Sequence, residues 1–471
     1  GDDERGRGRR IGRLDRNLQA SAGRFMPGFE FDKDSIALLR EALERLEQGF
    51  SHLPAVTPAG ASHDPANLRR VMLEVAERMH DNYPYFHPQY AGQMLKPPHP
   101  IARLAYSLAM HINPNNHALD GSRASSPMEK EAVAELARMF GWDTHLGHLT
   151  SGGTMANLEA LWVAGQVRPD SVVLASSQAH YTHSRISGVL KLPFEPVPCD
   201  RFGRMDLAAL EDRLERGGVG TVVATLGTTA TGSVDPLPEI LALRERYGFR
   251  LHADCAYGGY YTLASNLALP ARAAFDSLGS VDSIVIDPHK HGLQPYGCGC
   301  VLFRDPAVGK YYQHESPYTY FTSGDLHLGE ISLECSRPGA AAVALWATQR
   351  LLPLVRGGEF AGMLETCRAS ALELHARLAV DARFIVAFAP ELDIVVWAVR
   401  AATAAGSSER ARVIFAEAAR KDVHLALAEL PVKFFHDRGN SLGGNETVAC
   451  LRSVVMKPEH ASSIDRIMAS L

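Results

Sequence analysis

The sequence predicts an α/β protein with a mainly parallel central sheet, helices on both faces, an N-terminal helical segment and a small C-terminal α/β domain. Two observations carry that reading. Apolar runs rich in β-branched residues alternate with helical stretches: Val172 to Ala175, a helix after His180, Val222 to Thr225, a helix through Leu237 to Tyr247, Arg250 to Asp254, and Ser283 to Ile286. Alternation of this kind builds a parallel sheet covered by its crossover helices. Polar residues of chemical use, Thr228, Asp254 and Lys290, fall at or just after the ends of those runs, where open α/β sheets place their sites.

At 471 residues the chain exceeds one ordinary domain, so two or three packed units are expected. We divide it into residues 1–98, a tail and helical segment that packs on the main body or on a partner subunit; 99–358, the large domain; and 359–471, the small one. With 48 basic against 53 acidic residues and a net charge of −5, neither nucleic acid nor an anionic membrane is an implied partner. No apolar run reaches membrane-spanning length, and the N-terminus has no apolar signal-peptide core. The seven cysteines are odd in number and lie mostly in apolar runs, which predicts free thiols in a reducing cytoplasm.

The elements follow in order. Gly1 to Arg10 is charged and glycine-rich and reads as a tail. Ile36, Leu39, Leu43 and Leu46 recur at helical spacing, and a second helix runs from Pro65 to about Asp81. Between Tyr83 and Pro100 prolines break the helical pattern and gather aromatics; Phe86, His87 and Tyr90 here, with Asn115 beyond, are candidate linings of a substrate pocket. Ser126-Pro127-Met128-Glu129 reads as a capping start to a helix ending near Phe140. Leu149 to Asn157, LTSGGTMAN, opens another helix; glycines at a helix N-terminus let backbone N–H groups approach an anion. Gly152, Gly153 and Thr154 are therefore candidates for holding a phosphate. The spacing is neither a Walker loop nor a dinucleotide fingerprint. His180, after a strand, carries a flat imidazole able to stack on a ring. Beyond Gly357-Gly358 come a helix through Leu364 to Ala379 and strands near Ile394 to Val399 and Cys450 to Met456.

The chemistry centres on Ser283 to Arg304, a strand, a polar loop and a second strand, with Lys290 in the loop. A lysine at the end of a buried strand is costly to desolvate as a cation, which favours the nucleophilic free amine that forms Schiff bases. Asp254 ends the neighbouring apolar run. An amine and a carboxylate so placed suit pyridoxal phosphate (PLP), whose aldehyde needs a lysine and whose ring nitrogen is kept protonated by an adjacent acid.

SGGTMAN (151–157), SSQAHYTHS (176–184), TLGTTATGSVDPL (225–237), HADCAYGG (252–259), DPHK (287–290) and SRPGAAAVALW (336–346) stand in the order found in the PLP-dependent group II amino-acid decarboxylases, which the chain resembles. The resemblance runs clearly from Tyr85 to Trp346 and is nearest to the bacterial and archaeal tyrosine decarboxylase branch. It implies the aspartate-aminotransferase type fold (fold type I), a homodimer with shared active sites, and a cytoplasmic enzyme that releases carbon dioxide from an aromatic amino acid such as tyrosine or an acidic one such as aspartate. Carried over by position, Lys290 would bind PLP covalently, Asp254 would pair with its ring nitrogen and His180 would stack on the ring. Gly153, Thr154 and His289 would hold the phosphate, with Thr228 and Ala256 along the ring. A loop tyrosine, Tyr318 first and Tyr320 second, would protonate the substrate carbon.

The chain departs from the family pattern at His291, after the lysine, and at Gln294 to Gly297. For an acidic substrate, Lys96, Arg123 and Arg337 are the possible partners of its side chain. Arg337 is read rather as serving the cofactor or the dimer interface, and Arg452 as structural. Two other reactions stay open on the same scaffold: a carbon–carbon lyase of the sphingosine-phosphate lyase type and an aldehyde-forming oxidative deaminase. A cofactor-free scaffold protein is the third reading.

Overall fold

The structure is a computed structural model that describes residues 33–56, 64–117, 121–313, 331–435, 442–443 and 446–471. Seven strands form the large sheet: β1 (Leu146–Thr150), β2 (Val172–Ser176), β3 (Phe194–Val197), β4 (Val219–Thr225), β5 (Arg250–Asp254), β6 (Ser283–Ile286) and β7 (Gly299–Phe303). Their order is β1-β7-β6-β5-β4-β2-β3. From β6 through β5, β4 and β2 to β3 every pairing is parallel. Only β7 runs against its neighbours, because residues 287–298, which join it to β6, contain no crossover helix. Every residue of β6 and β7 is buried, as expected of strands covered on both faces.

The helices Gly153–Val167, Thr182–Leu190, Leu207–Glu215, Leu237–Tyr247 and Leu269–Asp276 supply the crossovers between β1 and β6. Parallel strands linked this way all point their C-terminal ends to one edge, which is what gathers the motif residues. A second, antiparallel sheet comprises β8 (Phe384–Val386), β9 (Ile394–Val399), β10 (Ala426–Pro431) and β11 (Thr447–Val454), in the order β10-β11-β9-β8. Its apolar cluster joins Trp397 and Leu451 to Ala371, Leu374 and Leu378 of the helix Glu359–Val380 and to Ile467.

The capping start expected at Ser126 is a correction. The helix Ser125–Met139 has no side-chain cap. Glu129 turns inward instead: its Oε1 accepts from Arg337 Nη1 at 2.7 Å and from the Leu149 N–H at 2.9 Å, and its Oε2 from Asn116 Nδ2. Arg337 also donates to the carbonyls of Leu149 and Asn116. This buried ion pair ties together β1, the 113–116 loop and the SRPGA segment.

The helices Lys33–Gln48 and Pro65–Met79 lie ahead of the large sheet; the second buries no residue and exposes Leu68, Val71, Met72, Leu73 and Met79. All seven cysteines are free, six of them buried and Cys335 exposed. No helix among the described residues is long and apolar enough to cross a membrane.

Candidate active site

A cavity of about 310 Å³ opens at the C-terminal edge of the parallel strands. One wall is the start of the helix Gly153–Val167; others are the loops after β2, β4, β5 and β6. Lys290, Asp254, His180, Gly152, Gly153, Thr154, Ala256 and His289 all line it. Residues separated by more than a hundred positions in sequence thus meet in one space.

Gly152 is the N-cap of the Gly153–Val167 helix and offers no side-chain cap, so the first helical N–H groups face the cavity without one. Side chains are excluded here by geometry. A Cβ on Gly153 would lie 2.6 Å from Asp287 Oδ2, and one on Gly299 of β7 would lie 2.5 Å from the Gly152 carbonyl carbon. The imidazole of His289 stands over Gly152, 3.4 Å from where its Cβ would be. His289 Nδ1 and Asp287 Oδ1 are buried without hydrogen-bond partners among the described residues. Bare N–H groups, an orphaned imidazole nitrogen and no room for a Cβ fit a bound phosphate.

At β5, Asp254 Oδ2 meets His183 Nε2 at 2.7 Å and Asn157 Nδ2 at 3.4 Å, and its Oδ1 accepts from the Ala256 N–H at 3.1 Å. Burial alone would raise this carboxyl; the hydrogen bonds from His183 and Ala256 outweigh it and hold Asp254 below the usual carboxylate range. Behind it, His252 bonds Asn157 Oδ1 and Ser283 Oγ, each at 2.9 Å, and burial holds it down to about 3. Asp254 therefore presents a fixed negative charge to the cavity. A fixed anion is what a ring nitrogen needs in order to stay protonated, so the PLP ring fits this wall.

Lys290 Nζ lies 3.0 Å from Asp287 Oδ2. The lysine is thus paired with a carboxylate three residues back, where the sequence reading left it unpaired. His180 Nδ1 accepts from the Thr182 N–H at 3.2 Å, which puts the proton of the neutral ring on Nε2. Burial lowers the His180 pKa, against the opposing pull of Asp254, so the neutral ring is the form present near neutral pH.

Other expected residues lie elsewhere. Thr228 is buried, but its Oγ1 is 2.9 Å from Thr231 Oγ1 and accepts from the Ser233 N–H; Thr225, Gly227 and Thr229 line the cavity in its place. The loop turns at Gly227, whose φ of +104° L side chains rarely adopt. Phe86, His87, Tyr90 and Asn115 do not line the cavity. His87 Nδ1 accepts from Gln89 N–H, Tyr90 gives its carbonyl to Lys457 at 2.8 Å, and Asn115 accepts from Arg337 N–H at 3.0 Å. Lys96, Arg123 and Arg337 are absent from its wall as well. Arg452 donates to the carbonyls of Thr229, Ala230 and Gly92, a structural clamp on the loop that carries Thr229. Tyr318 and Tyr320 lie outside the described residues.

Four residues were missed by sequence reasoning: Asn157, His183, Asp287 and His252. Each sits inside a motif already quoted. The available signal was a polar side chain flanked by residues that became buried.

A family model described as the pyridoxal-dependent decarboxylase conserved domain matches residues 52–400. The L-tyrosine decarboxylase of Levilactobacillus brevis is 27% identical over 389 residues, which cover 61% of this chain and 62% of that relative. The chain therefore spans less than two thirds of that relative's length. The probable L-tyrosine/L-aspartate decarboxylase of Methanopyrus kandleri is 30% identical over 302 residues, 62% of this chain and 78% of the relative. Among solved structures, Oryza sativa TDC with PLP and tryptamine superposes with a TM-score of 0.75 at 19% identity, covering 95% of this chain and 99% of that one.

Proposed function

The chain belongs to the pyridoxal-dependent decarboxylases, with PLP as its cofactor, and from that premise we propose that it converts an L-amino acid into its amine and carbon dioxide. The observation that carries the proposal is the meeting of Lys290, Asp254 and His180 on one cavity beside the bare helix start at Gly153. The substrate class is aromatic or acidic. The aromatic class is favoured because Lys290 is the only lysine or arginine among the described residues on the cavity wall, so an acidic side chain finds no cation there.

Each residue has a distinct task in this reading. Gly153 and Thr154 offer N–H groups, and His289 its ring, to the phosphate. Lys290 would hold the cofactor covalently through its side-chain amine. Bound PLP supplies an electron sink for the bond that breaks. Asp254, held ionised by its hydrogen bonds, keeps the proton on the ring nitrogen. His180, neutral with its proton on Nε2, stacks on the ring and orients the departing carboxylate. Tyr318, or Tyr320 in its place, delivers a proton to the substrate α-carbon. Thr225, Gly227 and Thr229 take the lining role first given to Thr228.

The division at 98/99 and 358/359 belongs to the same proposal, supported by the two separate sheets. So do a homodimer, supported by the apolar side chains exposed on Pro65–Met79, and a cytoplasmic location, supported by the free cysteines. The relatives named above are described as a decarboxylase and a probable decarboxylase, which favours decarboxylation over the lyase and deaminase readings.

The test is an absorbance spectrum of the purified protein followed by measurement of carbon dioxide released from individual L-amino acids. A visible PLP band that Lys290→Ala abolishes, with carbon dioxide from tyrosine or a similar substrate, is the expected result. A PLP-loaded protein that releases none from any amino acid overturns the decarboxylase reading.

A further inference from the structure

A second cavity, of about 290 Å³, shares no lining residue with the first. Its walls include Phe86, Lys96, Arg103, Leu293, Met363 and Lys457. Three basic side chains, Lys96, Arg103 and Lys457, line this space with one carboxylate, Glu459, among the described residues.

Lys457 is only 3% exposed. Its Nζ donates to the carbonyls of Tyr90 at 2.8 Å and Leu95 at 3.4 Å and lies 5.5 Å from the centre of the Tyr90 ring. Among the described residues Lys96 Nζ reaches only the Met456 carbonyl, at 3.4 Å. Neither ammonium has a carboxylate within ion-pair distance among the described residues. Carbonyl dipoles satisfy donors, but they do not neutralise a buried charge. The strain registers at Lys457, which burial and the neighbouring Lys96 hold down to about 7. An anion entering the cavity would relieve both lysines at once.

We propose that this cavity binds a small doubly charged oxyanion, a phosphate monoester or a dicarboxylate, at Lys96, Arg103 and Lys457. A cavity of about 290 Å³ suits a compact ligand. The bound anion would rest against Phe86 and the start of the Pro100–Met110 helix, and would bear on the 86–96 segment whose carbonyls Lys457 grips. This site stands independently of the decarboxylation reading.

The test is calorimetric titration of PLP-loaded protein, in which the Gly153 cradle is already filled, with inorganic phosphate and separately with succinate. Saturable binding of one anion per chain is expected. It should weaken about tenfold or more in Lys96→Gln and in Arg103→Gln, since each removes a charge-assisted contact, with the PLP absorbance unchanged. Tighter phosphate binding assigns the phosphate class, and tighter succinate binding the dicarboxylate. Lys457 is left intact because its hydrogen bonds hold the 86–96 segment. No saturable binding of either probe, or equal affinity in both variants and the parent protein, overturns the proposal.

Discussion

Replacing Asp254 with asparagine keeps the volume of the side chain and removes its charge. In the structure this carboxylate is fixed by His183 at 2.7 Å, Ala256 N–H at 3.1 Å and Asn157 at 3.4 Å. Two unit charges about 4 Å apart at an effective dielectric of about 20 interact by about 4 kcal/mol, and that is the stabilisation of a protonated ring nitrogen that the variant forfeits. At about 1.4 kcal/mol per decade of rate, kcat should fall about a thousandfold. An asparagine also turns an NH2 group toward one of the three donors, which adds to the loss. The assay is carbon dioxide release by the PLP-loaded variant at saturating substrate, with circular dichroism and PLP absorbance as controls for folding and loading. A folded, loaded Asp254→Asn protein retaining kcat within about tenfold of the parent would refute the assignment of Asp254 to the ring nitrogen.

Gly153→Ala would push a Cβ to 2.6 Å from Asp287 Oδ2, and overpacking of about 1–3 kcal/mol should weaken PLP at least several-fold; an unchanged PLP titration would place the phosphate elsewhere. His252, held down to about 3 by burial, stays neutral in the folded protein where the unfolded chain takes up a proton below about 6.5. Its contribution to stability is therefore complete at neutral pH and is lost as pH falls from about 6.5 toward 3. Between pH 7 and 5 the parent should lose about 2 kcal/mol more stability than His252→Gln, measured by urea unfolding; equal losses would contradict this. Tyr318→Phe, if Tyr318 is the proton donor, should divert product from amine toward aldehyde. Unchanged amine yield moves the role to Tyr320.

The motif residues that touch the cavity were legible because their chemistry requires particular side chains at strand ends. Lys290, Asp254, His180 and the Gly152–Thr154 stretch are each tied to a loop that a parallel sheet must direct to one edge. The residues behind them were not legible. Asn157, one helical turn into its helix, reaches Asp254, while Glu129, placed where a capping box belongs, forms a buried pair with Arg337. In both cases local spacing is satisfied by a bland role, and the long-range partner that overrides it is supplied only by packing. Thr228 shows the reverse failure. Its position in TLGTTATGS is right, but the turn at Gly227 swings its hydroxyl into the loop's own bonds with Thr231 and Ser233.

The cavity holds two carboxylates, and their surroundings decide which end of the cofactor each can serve. Asp287 lies against Gly153, at the helix start proposed for the phosphate, and a bare negative charge there would repel that phosphate. Its Oδ2 is engaged by Lys290 at 3.0 Å, with His289 Nε2 3.6 Å away, so part of its charge is offset by an adjacent cation. Asp254 has no lysine or arginine among its hydrogen-bond partners; His183, Asn157 and Ala256 orient it and leave its charge uncompensated toward the cavity. An uncompensated carboxylate attracts a ring N–H⁺ and a compensated one does not. These surroundings favour the proposed assignment of the ring nitrogen to Asp254 and the phosphate to Gly153, on which Asp287→Asn should loosen the hold on Lys290 while leaving the protonation of the ring, read from the PLP absorbance, as it is in the parent.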